Sequence, residues 1–255
     1  SLCGFTTTGA KVIGLKMCAN CIRGNMVDCI NAEPRGLLIW RSITKWCGGM
    51  GIIMLGMMFL SRVIGGEMDL ARAELTGPSL SRLRPKLKQT AFALWGLYLF
   101  LTFFEFVLLY FTGAMDLFDS INHALTTMPS GGFSTHDASI GFYDSFLVES
   151  IIILFMFLAG VNFTLLWFIR DGDFKRAFGD EEFRNYVIYI TVGILAVFIA
   201  LLASGTSAGR ALRDSMFQVV SFGTSTGYTS TNYMDTSWPL VTHLIIFILM
   251  IVGAS

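Results

Sequence analysis

The chain has 255 residues, 54% of them apolar and 14% charged, with 18 Lys plus Arg balanced by 18 Asp plus Glu. A soluble domain carries about 25% charged residues, and zero net charge offers no footprint for nucleic acid. With 23 Phe and a mean hydropathy of +0.64, disorder is excluded and a polytopic membrane protein remains.

A crossing helix needs roughly 20 mostly apolar residues to span about 30 Å of hydrocarbon. In chain order, 36–60 is such a run, interrupted early by Arg41 and Lys45. Residues 61–88 are charged, contain Pro78 and Pro85, and read as a solvated loop. Residues 91–115 form a second span with Glu105 as the one charge. The connector 116–142 is semi-polar and opens with Leu117, Ile121, Ala124 and Leu125 at helical spacing. A third span covers 150–169, a mixed-charge loop covers 170–184, and a fourth span covers 186–203. The connector 204–237 again opens on a short periodic segment, with Ala211, Met216, Val219 and Val220. Residues 240–255, after Pro239, start a last span. Four or five helices therefore cross. No signal peptide precedes Ser1, and Gly253-Ala254-Ser255 closes on an apolar run, so both ends read as cut and predict a piece of a longer chain.

The two semi-polar connectors start with segments too short to span. A half-helix that enters the membrane and returns fits them, since irregular backbone at that depth is tolerated only when buried or facing water. A hydroxyl residue followed by glycine recurs at Thr8-Gly9, Ser130-Gly131 and Thr226-Gly227, at intervals of 122 and 96 residues. The repeating unit is full helix, half-helix, hydroxyl-Gly turn, full helix. A cation shedding its water loses hydration on the order of tens of kcal/mol, and backbone carbonyls can replace that shell. Glycine permits the dihedrals that aim successive carbonyls at one axis, Thr and Ser add oxygens, and a half-helix ending there adds partial negative charge. Small-residue helix packing is the other reading; three copies in matching context favour a cation filter.

The stretches GFTTTGA at 4–10, LLIWRSITKWCGGMGIIML at 37–55, RAELTGP at 72–78, SGGFSTHDASIG at 130–141, FQVVSFGTSTGY at 217–228 and LIIFILMIVGA at 244–254 carry a family resemblance. The chain resembles the TrkH-type membrane subunits of the Trk/Ktr/HKT superfamily of potassium transporters over nearly its whole length. The resemblance implies an all-α polytopic membrane protein with repeated helix–pore-loop–helix units around a pseudo-fourfold cation pore, incomplete here. It implies the end of repeat one at 1–63, a cytoplasmic loop at 64–88, repeat two at 89–170, a cytoplasmic loop at 171–185 and a truncated repeat three at 186–255. It also implies a plasma-membrane location, a homodimer and a cytoplasmic nucleotide-binding regulatory subunit. No enzyme activity, cofactor, structural metal or nucleic-acid partner is expected; potassium is the substrate. The family's filter glycines match Gly9, Gly131 and Gly227, which implies potassium, whereas a serine at the first goes with sodium in some plant relatives.

The predicted filter is thus Thr7, Thr8 and Gly9; Pro129, Ser130 and Gly131; and Ser225, Thr226 and Gly227. Pro129 departs from Thr7 and Ser225, losing a donor and fixing φ. Asn122 and Gln218, each nine residues before a filter glycine, either brace the filter or pack as polar residues. Cys18, Cys21 and Cys29, with Cys3, are more simply a variable loop than a metal site. Filters facing outward place ten Lys or Arg inside against eight outside, a weak positive-inside bias.

Glu105 reads as a structural or lateral polar contact. Arg41 and Lys45, beside Trp40 and Trp46, read as interfacial anchors, and Gly48, Gly49 and Gly51 as close helix packing. His136 and Asp137 are either an outer-mouth rim or turn caps. An intramembrane metal-dependent enzyme is the first alternative, weakened because only His243 and Glu105 lie in spans and no HExxH or GxSxG motif occurs. A secondary transporter for an organic solute is the second.

Overall fold

The computed structural model of the chain describes residues 28, 30–31, 33–49, 83–161, 179–233 and 238–253, with side chains of the helix starting at Leu83 from Leu94 onward. Thr7, Thr8, Gly9, Gly51 and the cysteines at 3, 18, 21 and 29 lie outside the described residues. Residues 35–49 form α1. Then follow α2 (Leu83–Phe111), α3 (Leu117–Thr127), a 3-10 turn (Ser139–Phe142), α4 (Phe146–Ala159), α5 (Glu181–Ala203), α6 (Ala208–Gly223) and α7 (Leu240–Gly253). Two stretches, Leu94–Phe111 and Glu181–Ala203, are long and apolar enough to cross a membrane, and α4 and α7 are shorter apolar helices.

Among the described residues, a long apolar helix, a semi-polar helix and a shorter apolar helix follow one another twice. Boundaries shift where local chemistry decides them. The expected loop 61–88 ends early, because Leu83 to Lys88 already belong to α2. Pro85 lies in its first turn, where a missing N–H breaks no helical bond. Gly113, at φ +69°, follows the end of α2. Asp180 caps α5, its carboxylate accepting from the N–H groups of Glu182 and Phe183. Gly205, at φ +88°, closes α5 with paired bonds, Gly205 N–H to the Leu202 carbonyl and Thr206 N–H to the Leu201 carbonyl.

The long and short helices bury opposite kinds of residue. On α2, Phe100, Phe103, Phe104 and Phe111 are exposed, and on α5 so are Ile188, Val192, Leu195 and Ile199. Exposed apolar rows of this size suit lipid rather than water. The half-helix α3 instead buries Ser120, Asn122, His123, Thr126 and Thr127 while Leu117 stays exposed. The second half-helix, α6, buries Asp214, Ser215, Gln218 and Ser221 among its apolar contacts. Polar groups face inward because the outer surface offers them no partner.

Close glycine contacts fix how α1 and α4 meet the turns after α3 and α6. Gly49 on α1 packs on Pro129, just beyond α3. Gly160, at the end of α4, packs on Thr224, just beyond α6. A Cβ on Gly49 would lie 2.5 Å from the Pro129 Cβ, so the Gly49 expectation of close packing holds. Gly49→Leu is expected to lower stability by roughly 1–3 kcal/mol through overpacking, read as a lower Tm of the purified protein in detergent.

Candidate functional site

The two half-helices end in turns with the same hydrogen-bond pattern. After α3, Gly131 N–H donates to the Thr126 carbonyl at 2.8 Å and Ser130 N–H to the Thr127 carbonyl at 2.9 Å. After α6, Thr226 N–H donates to the Ser221 carbonyl at 2.8 Å and Ser225 N–H to the Phe222 carbonyl at 3.1 Å. A hydroxyl then reaches seven residues ahead: Thr126 Oγ1 donates to the Phe133 carbonyl at 2.8 Å, and Ser221 Oγ to the Tyr228 carbonyl at 2.6 Å. The left-handed residues also correspond, Ser130 (φ 51°) with Ser225 (58°) and Gly132 (60°) with Gly227 (85°).

This pattern corrects the expected register by one residue. Gly227 corresponds to Gly132, and Gly131 corresponds to Thr226. Pro129 therefore stands against Thr224 rather than Ser225, which the packing of Gly49 and Gly160 repeats. The sequence misleads because Ser130-Gly131 imitates Thr226-Gly227. Only the positive φ separates the true hinge, which an L side chain resists and glycine accepts.

The two turns converge. A Cβ placed on Gly132 would collide with the Thr226 carbonyl oxygen, so backbone meets backbone there. Just beyond, Gly141 N–H donates to the Thr229 carbonyl at 3.1 Å and Thr229 N–H to Ser139 Oγ at 3.2 Å. Thr226 is buried, whereas Ser225 and Gly227 are exposed on the open side of the turn.

The supporting residues differ from expectation. Asn122 does not match Gln218. Its Oδ1 accepts from Ser42 of α1 at 2.7 Å, and its Nδ2 donates to the Phe118 carbonyl at 2.7 Å. His123 matches Gln218 in the corrected register, and both hold the chain beyond the turn. His123 Nε2 is 3.1 Å from Ser134 Oγ, and Gln218 Nε2 donates to the Thr231 carbonyl at 3.3 Å. The signal for His123 was present: it lies three residues before Thr126, as Gln218 lies three before Ser221. Tyr228, fully buried, was missed as well. Its hydroxyl lies 2.6 Å from Thr126 Oγ1 and donates to the His123 carbonyl at 3.3 Å, tying the second turn's aromatic ring to the first half-helix.

One other expectation changes. Lys45 is fully buried and lies behind Gly131, and Arg41 donates to the Ser134 carbonyl at 2.6 Å, so neither is an interfacial anchor. Trp40 beside them is 60% exposed and keeps that role open. Glu105 is fully buried beside the Thr127 side chain, although neither carboxylate oxygen accepts a full hydrogen bond among the described residues. His136 belongs to a rim: its Nδ1 lies 2.5 Å from Asp28 and its Nε2 3.2 Å from Asp119. Asp119 also accepts from Thr135 at 2.7 Å and Tyr143 at 2.8 Å, and the His136 ring stacks on Phe142 at 3.7 Å. Asp28 accepts from Asp137 N–H at 2.9 Å, so the rim ties the segment before α1 to the chain after the first turn. At the other connector, Arg213 forks onto Glu149 at 2.6 and 3.0 Å and reaches Asp144 at 3.0 Å, joining α6 to α4.

Two matched glycine turns lie between apolar helices, the layout of a polytopic α-helical membrane protein. Residues 16–255 match the TrkH family, described as a cation transport protein, and the chain belongs to that family. It is 36% identical over 260 residues to the Trk system potassium uptake protein TrkH of Vibrio parahaemolyticus serotype O3:K6, covering 99% of this chain and 50% of that protein. It is 33% identical over 252 residues to the Trk system potassium uptake protein TrkG of Escherichia coli K12, covering 97% of this chain and 48% of that one. The chain spans about half the length of the curated relatives it matches. The crystal structure of the potassium transporter TrkH from Vibrio parahaemolyticus superposes with a TM-score of 0.76 at 32% identity, over 98% of this chain and 47% of that one.

The rim sets a pH window. Burial alone would raise the Asp119 carboxyl, but bonds from His136, Thr135 and Tyr143 outweigh it and hold the group down at about 2. Burial alone would lower His136, but its bonds to Asp119 and Asp28 raise it. The depressed Asp119 contributes stability that is complete above its ordinary 3.8 and lost as pH falls through about 2. The raised His136 contributes stability complete below its ordinary 6.5 and lost as pH climbs through the raised value. His136→Gln is therefore expected to lower Tm most between about pH 4 and 6.5, with the gap to wild type closing at higher pH; thermal scans across pH check this.

Proposed function

We propose that the intact protein takes up potassium across the plasma membrane as the pore subunit of a Trk-type system. The filter elements are Ser130, Gly131 and Gly132 after Pro129, and Ser225, Thr226 and Gly227 after Thr224. Thr7, Thr8 and Gly9 supply the matching turn of repeat one. The observation that carries this reading is the contact of Gly132 with the Thr226 carbonyl between two turns that share three hydrogen bonds at matching positions.

The chemistry follows from that arrangement. Each turn leaves helical geometry at the C-terminal end of a half-helix, where partial negative charge favours a cation. Hydroxyls from Thr126 and Ser221 hold the Phe133 and Tyr228 carbonyls from behind. With the chain pinned there, the turns' other carbonyl oxygens can take over an ion's lost hydration without a formal charge that would trap it. Repeats two and three begin with α2 at Leu83 and α5 at Glu181, and the connectors that precede these helices lie on the cytoplasmic side. A cytoplasmic nucleotide-binding regulatory subunit would dock on that face, and the membrane subunit would pair as a homodimer. Both belong to this proposal and rest on the family.

Gly132→Ser and Gly227→Ser in the full-length protein are expected to weaken potassium-over-sodium preference by roughly tenfold, the factor that about 1.4 kcal/mol of differential binding gives. Rubidium uptake with sodium competition measures it. Unchanged ion preference in both variants overturns the assignment, and flux of an organic solute in place of rubidium favours the broken-helix transporter.

A further inference from the structure

One side chain of the third repeat heads a chain of hydroxyls that ends on the second repeat's turn. Tyr228 directly follows Gly227, and it is fully buried in one cluster with Leu109 and Ile152 of the second repeat and Phe217 of the third. Its hydroxyl carries one proton and faces two acceptors, Thr126 Oγ1 at 2.6 Å and the His123 carbonyl at 3.3 Å. The farther of the two already accepts from Thr127 Oγ1 at 2.8 Å. A separation of 2.6 Å lies at the short end for two hydroxyls.

Thr126 also carries one proton, and two carbonyls compete for it most closely. One belongs to Asn122, a turn back in α3, at 2.9 Å, and the other to Phe133, beyond Gly132, at 2.8 Å. A threonine inside a helix has the carbonyl four residues back as its local acceptor. With Thr126 as donor to Tyr228, neither carbonyl would receive its proton. With Tyr228 as donor, the Thr126 proton is left for the turn.

This relay runs in one direction. Phe133 occupies the matching place after Gly132 and has no hydroxyl to offer. In the third repeat Ser221 Oγ donates to the Tyr228 carbonyl at 2.6 Å, and among the described residues no tyrosine hydroxyl reaches Ser221.

We infer that Tyr228 is a positioning residue for ion selectivity: its phenol donates to Thr126, which directs the Thr126 proton onto the Phe133 carbonyl and holds the second turn in place from the third. Without the phenol proton, Thr126 turns back to Asn122 and the chain after Gly132 loses its tether. A loosened turn draws in around the smaller sodium ion, and preference for the larger ion falls. The inference rests on the filter reading above.

The test uses the full-length transporter and rubidium uptake in competition with sodium. Tyr228→Phe removes one oxygen and keeps the ring. It is expected to lower the preference for rubidium over sodium about fivefold, the scale of one lost hydrogen bond. Thr126→Val is expected to lower it similarly, and adding Tyr228→Phe to that variant is expected to change nothing more, because both substitutions break one relay. Thr126→Ser keeps the hydroxyl and is expected to keep the wild-type preference. Tyr189→Phe deletes a hydroxyl that donates to the Leu249 carbonyl at 2.6 Å, outside the relay, and is expected to lower Tm without moving the preference. If Thr126→Val is not recovered as a folded protein, Thr126→Ala completes the same cycle. A wild-type preference in Tyr228→Phe, or effects of the two substitutions that simply add, overturns the inference. Absence of any rubidium preference in the wild type overturns the filter reading instead.

Discussion

Backbone that leaves the helix inside a bilayer must find its hydrogen bonds within the protein, because hydrocarbon offers none. The two turns meet that demand in one way. The half-helix's last carbonyls receive the turn's N–H groups, and a hydroxyl seven residues back holds the carbonyl beyond the glycine. The inward polar faces of α3 and α6, the outward Phe and Ile rows of α2 and α5, and the positions of Gly132 and Gly227 all follow from it. A half-helix with its apolar face inward would leave these turns unsupported.

Support is shared between repeats. Tyr228 of the third repeat lies against Thr126 and His123 of the second, and α1 supplies Ser42 to Asn122 and Arg41 to Ser134. The rim repeats this outside, with Asp28 and Asp119 on either side of His136. Each turn thus depends on side chains from a neighbouring unit. The repeats match in backbone and differ in what stands behind each ring, cationic at Phe133 and aliphatic at Tyr228.

Much of this was legible in the sequence because length and period are strong signals. Leu117, Ile121, Ala124 and Leu125 mark a helix too short to cross, and the structure ends it at Thr127. The long apolar runs appear as α2, α4, α5 and α7 with boundaries moved by Pro85, Asp180 and Gly205. Register was not legible. Two adjacent glycines at 131 and 132 offer two alignments, and the choice lies in φ and in which N–H reaches Thr126. The setting of Arg41 and Lys45 was hidden for a related reason. Tryptophans beside cations signal an interface in one dimension, but the helical stripe through Gly49 turns both cations inward. Asn122 and Gln218 looked equivalent by counting from the wrong glycine, which concealed His123.

The abutment of Gly132 against the Thr226 peptide has a mechanical corollary. Neighbouring main chains in contact leave no slack, so the second turn cannot shift toward the third without displacing it. Bulk introduced at Gly132 is transmitted sideways to the adjoining unit, whereas Gly227 opens on free space. Grafting a single turn from a relative would then fail unless the adjacent turn came with it, which makes the pair the smallest interchangeable part.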